Sequence, residues 1–67
     1  MIKEIWEQLQ KRAEYAVASR NLELMYETYG MVKMAREMCA ITKEQFAALN
    51  EKLVRKGIND PRAYDTK

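Results

Sequence analysis

Sixty-seven residues, 7.9 kDa and a net charge of +2 make one small domain and name no polyanionic partner. No His, one Cys, two Gly and one Pro exclude an intramolecular disulfide, a Cys/His zinc cluster and a glycine-rich phosphate loop, while 48% apolar and 33% charged residues exclude a disordered chain. A chain of this size buries only about 60% of its unfolded surface, so staples or partners are common in its class.

Ile2, Ile5, Trp6, Leu9, Ala13, Ala16 and Val17 recur at spacings of three and four. At about 100° per residue they fill one arc of roughly 120°, and Lys3, Glu4, Glu7, Gln8, Lys11 and Glu14 fill the rest. The pattern predicts a first helix over about 2–19, with Trp6 as a core anchor. Ile2, Leu9 and Ala16 lie seven apart, as a coiled-coil seam does. Ser19-Arg20-Asn21 breaks the period, and Asn21 suits the N-cap of a second helix over about 22–38. Gly30, near its middle, costs about 1 kcal/mol against Ala and marks either a close helix crossing or a kink; the crossing is favoured because the apolar stripe continues in phase on both sides.

The second helix carries two stripes. Leu24, Met31 and Met38 are seven apart, with Thr28 and Ala35 between and Met25, Val32 and Cys39 alongside. This arc is expected to face helices 1 and 3. Leu22, Tyr26 and Tyr29, continued by Lys33 and Arg36 and joined by Met34, form an expected interaction surface. Tyr and Arg are enriched at binding surfaces, and Met makes such surfaces adaptable.

Helix 3 is expected over about 43–56. Thr42 and Gln45 have capping-box spacing, and Ile41 and Phe46 hold the positions of a hydrophobic staple. Arg55 and Lys56 suit the negative end of the dipole, Gly57 a left-handed C′ residue, and Ile58 a contact back onto Leu53. Residues 58–67 are expected to be an extended or mobile tail with Tyr64 docking, beyond a helical domain of 1–57. The predicted fold class is all-α, a three-helix bundle in which helices 2 and 3 form an antiparallel hairpin.

The longest uncharged stretch, Gln45 to Asn50, is six residues against the roughly 20 a membrane helix needs. Lys3 and Glu4 interrupt any signal-peptide core. The expectation is a cytoplasmic protein with no membrane partner. Glu23 and Glu27 share a helix face, but no other ligand converges on them at helical spacing, and Cys39 has no His to activate it. It reads as a small buried hydrophobe. No enzyme activity, cofactor, metal or small-molecule substrate is expected.

Residues 33–56 hold six Lys or Arg against three Glu. Ala35, Met38, Ile41, Thr42, Phe46, Leu49, Leu53 and the Lys56-Gly57-Ile58 ending give residues 34–58 a pattern that resembles the helix-turn-helix of MarR-like winged-helix regulators. The resemblance implies DNA contact through Lys43, Gln45 and Lys52. Cys39 replaces the usual turn Gly, and Glu44 and Glu51 sit on the would-be reading face. A second pattern covers more of the chain: Tyr26, Gly30, Ala35, Ile41-Thr42 and Glu44 before a leucine-spaced helix. It resembles small uncharacterised helical proteins of phages and mobile elements of Gram-positive bacteria. That likeness implies a helical hairpin and makes binding or inhibition of a host protein plausible.

The leading expectation is a non-enzymatic protein–protein interaction module, self-associating as a homodimer or binding another protein. A minimal helix-turn-helix DNA-binding regulator is the first alternative. A structural helical subunit of a larger assembly is the second.

Overall fold

The computed structural model describes residues 2–64. It is an all-α bundle of three helices, with no strand among the described residues. Helix α1 spans Ile2–Ala18, α2 spans Leu22–Glu37 and α3 spans Lys43–Asn50. Helix α3 continues unbroken into a wider π segment, Glu51–Ile58, and a single 3-10 turn follows at Pro61–Ala63. The three helices pack on one another in a body of 39 × 16 × 14 Å.

The connections explain the topology. The α1 C-terminus closes in a Schellman turn: Asn21 N–H donates to Ala16 O at 3.4 Å and Arg20 N–H to Val17 O at 3.0 Å. Asn21 then caps α2, its side chain accepting from Leu24 N–H at 3.1 Å. One residue thus ends one helix and begins the next, and the short turn folds α2 back along α1. The α2 C-terminus repeats the device, with Ala40 N–H on Ala35 O at 2.8 Å and Cys39 N–H on Arg36 O at 3.0 Å.

The C′ residue of such a turn is left-handed, and here it is Arg20 at φ 56° and Cys39 at φ 59° rather than glycine. A Cβ in this conformation costs about 1–2 kcal/mol. Cys39 is exposed, so its side chain recovers little of that cost by packing. Cys39→Gly is therefore expected to stabilise the fold by about 1 kcal/mol, a rise in Tm of about 4–8 °C for a domain of this size. A thermal melt without such a rise would remove the strain from the account.

Helix α3 starts as its sequence predicts. Gln45 N–H donates to Thr42 Oγ1 at 3.0 Å, and Thr42 N–H to Gln45 Oε1 at 2.9 Å, so both arms of the capping box are closed. Its far end differs from expectation. The helix runs to Ile58, and no glycine has a positive φ. Asn59 makes the cap instead, its N–H donating to Val54 O at 2.7 Å. Gly57 serves packing: it is buried, and a Cβ there would lie 3.3 Å from Met25 Sδ and 3.4 Å from Val17 Cγ2. Leu49, Leu53 and Gly57 are buried at steps of four residues. Such steps drift by about 40° each in an α-helix at 100° per residue. The wider turns of the π segment take up the drift and keep all three facing inward.

The core joins Leu9, Ala13 and Ala16 of α1 to Met25, Val32 and Ala35 of α2, and to Ile41, Leu49 and Leu53. Thr28 is buried with them, and Trp6, Val17 and Phe46 pack against them partly exposed. Two expectations for α2 fail here. Gly30 is not a crossing point: it is exposed, with nothing within 4 Å of a Cβ. Met31, Met38 and Cys39 are exposed rather than core. The stripe was read too wide; α1 and α3 between them cover only the arc of Met25, Thr28, Val32 and Ala35.

In the expected tail, Asp60 caps the 3-10 turn by accepting from Arg62 N–H at 3.1 Å, and Tyr64 packs partly buried on the core. An Arg20 guanidinium N–H donates to Arg62 O at 3.2 Å and ties this turn to the α1/α2 connection. The rest of the expected tail, 65–67, lies outside the described residues, as does the side chain of Ile2.

Candidate interaction surface

Five of the six residues expected to form a contact surface share one side of α2: Leu22, Tyr26, Tyr29, Lys33 and Arg36. Successive members lie within about 60° of each other at 100° per residue. Tyr26 is 57% exposed, while Leu22 and Tyr29 pack partly against the core. Lys33 Nζ sits 5.2 Å from the Tyr29 ring centroid, close enough for a cation–π contact. Lys33, Arg36, Glu37 and Phe46 outline a shallow depression of about 180 Å³. This side is aromatic but strewn with charge.

Met34 does not belong to it. It stands about 100° farther round α2 and joins a second surface that sequence reasoning missed. A groove of about 580 Å³ runs between α1 and α2. Ile5 and Leu9 line it from α1, Met31 and Met34 from α2, and Met38 from the α2 C-cap. Four of these are large apolar side chains left in water: Ile5 at 40%, Met31 at 40%, Met34 at 56% and Met38 at 70% exposed. Gly30 also lines the groove and, with nothing within 4 Å of a Cβ, leaves a gap in its wall. Glu4, Gln8 and Arg12 form the polar rim on α1. Arg12 has no ion-pair partner among the described residues, whereas Glu4 makes an interaction within the chain.

A signal for this groove did exist. Met31, Met34 and Met38 stand at i, i+3 and i+7, which places three thioethers along one helix face. The seven-residue spacing of Met31 and Met38 matches a bundle seam, and that match points them to the core and masks the groove.

The residues implicated in DNA contact are differently occupied. Lys43 is exposed, but Gln45 is engaged in the capping box. Lys52 Nζ lies 3.2 Å from Glu14 Oε2, and Arg55 pairs with Glu51 one turn back. On α3 and its extension, Lys43 and Lys56 are the cations without an ion pair among the described residues. Two point charges make a weak phosphate footprint.

No cluster of three or more His, Cys, Asp or Glu side chains suited to a metal occurs among the described residues. Among the described residues no helix is long and apolar enough to cross a membrane. No family model matches the chain, and no curated protein or solved structure is significantly similar to it.

Proposed function

We propose that this chain is a protein–protein interaction module that acts without chemistry of its own, by burying an apolar groove against another protein surface. The observation that carries the reading is the convergence of Ile5, Met31, Met34 and Met38 on one concave surface with a charged rim. An apolar centre ringed by polar groups is the composition of a protein interface. Unbranched methionines adapt their shape to what they meet, which suits a docking surface better than a unique core. DNA binding has less support, because two of the three residues it would use, Gln45 and Lys52, are engaged in a cap and in an ion pair.

The methionine methyl groups give a direct test. With methyl-labelled Met, the signals of Met31, Met34 and Met38 should shift or broaden as the chain is concentrated or as extract of its native cells is added. Met25, which is fully buried, should stay in place. If all of them hold still under both conditions, the groove is not a docking surface and the reading falls.

A further inference from the structure

We infer that the occupant of the α1/α2 groove is a second copy of this chain, packed about a two-fold axis that passes beside Gln8. The inference rests on the module reading and names its partner and geometry.

The charges on the rim are the first argument. Glu4 and Arg12 lie four residues to either side of Gln8, on the same side of α1 and both on the groove. A two-fold axis at Gln8, perpendicular to α1, brings two α1 helices together antiparallel. Position 4 of each then falls beside position 12 of the other, so both ends of the contact pair an acid with a base. An interface of this symmetry must be self-complementary, and this rim is. Arg12 has no ion-pair partner among the described residues, and a carboxylate such as Glu4 can accept from more than one donor.

The shape of the groove is the second argument. The same axis sets Ile5 of each copy level with position 11 of the other. The turn at 19–21 folds α2 back along α1, and counting outward from it puts position 11 at about the level of Gly30, which lines the groove and leaves the gap, with nothing within 4 Å of a Cβ. Ile5, 40% exposed in the single chain, fills that gap, and the three methionines close over the two α1 helices. Two α1/α2 hairpins combined in this way make a four-helix bundle, an arrangement that buries the apolar seam neither hairpin covers alone. Charge alone does not select a copy of the chain over an unrelated amphipathic helix. The coincidence of the charge pairing and the Ile5-to-Gly30 fit on one axis does.

Sedimentation equilibrium of the full chain tests this. The wild type is expected at twice 7.9 kDa at high concentration, dissociating on dilution. Gly30→Lys is the sharpest variant, because Lys is the better helix former and keeps the exposed position folded. It should weaken the dimer by 100-fold or more with its circular dichroism intact. Arg12→Glu alone should raise the dimer Kd by about tenfold, because the symmetry turns two attractions into two repulsions. Adding Glu4→Arg to Arg12→Glu should bring it back to within about threefold of the wild type.

A dimer that tolerates Gly30→Lys, or a charge swap that restores nothing, overturns the inference. A chain that stays at 7.9 kDa up to millimolar concentration also overturns it. If the Met31, Met34 and Met38 methyl signals of such a monomer still shift in cell extract, a different protein occupies the groove and the module reading stands. If they do not, both fall.

Discussion

Met25→Ala should be the most damaging single truncation in this chain, lowering stability by about 2–5 kcal/mol. Met25 is fully buried, and its thioether lies against Gly57 and is within reach of Val17 where three helical elements meet. The cost should fall in the upper half of that range. A cavity collapses when neighbours lean in, and Gly57 has no side chain to offer. The whole stability of a 67-residue domain is about 3–10 kcal/mol. Many molecules would then be unfolded at 37 °C. Urea melts should show a lower midpoint with an unchanged slope. A loss under about 1 kcal/mol would mean that the site refills and that Met25 is not pivotal.

The second large effect contrasts the two glycines. Gly57→Val should destabilise by about 1–3 kcal/mol, since the added Cβ already meets Met25 Sδ at 3.3 Å and Val17 Cγ2 at 3.4 Å before the branches are placed. Measured on the dilute, monomeric chain, Gly30→Ala should stabilise by about 1 kcal/mol, because its Cβ enters open space on a helix that Gly disfavours. Opposite signs at two helical glycines are hard to produce by any general effect of backbone entropy. Combining Gly57→Val with Met25→Ala provides a further check. The branches of one would occupy the cavity of the other, and a double-mutant cycle should give a favourable coupling of about 0.5–3 kcal/mol. Strict additivity would separate the two residues and break the packing account of Gly57.

Local chemistry was the legible part of the fold. Asn21 and Thr42 act on backbone groups within three residues, so their caps can be read with no knowledge of the tertiary structure. Periodicity likewise places Leu9, Ala13 and Ala16 of α1 and Met25, Val32 and Ala35 of α2 in the core, but it does not set the width of either arc, since Ile5 and Met31 share the expected stripes and stay exposed. The two glycines were misread for one reason. A glycine's role depends on what stands opposite it, and no periodicity reports that: Gly30 looked like a crossing and faces water, while Gly57 looked like a cap and faces Met25. Both Schellman turns are hidden in the sequence because Arg20 and Cys39 occupy a place where glycine is the usual sign. The placement of the candidate surface residues was half legible. Leu22, Tyr26, Tyr29, Lys33 and Arg36 share one side of α2 as their spacing predicts, but Met34 stands on another. The groove itself depends on how α1 lies across α2, and only the fold brings Ile5 beside the methionines.

The bond from Arg20 to the Arg62 carbonyl joins the C-terminal turn to the first interhelical connection. The groove begins at the other pole of the molecule, beside Ile5 and Met38. A fluorophore or affinity handle appended beyond Tyr64 would therefore leave the methionine surface clear, whereas the same cargo fused ahead of Ile2 would hang over it.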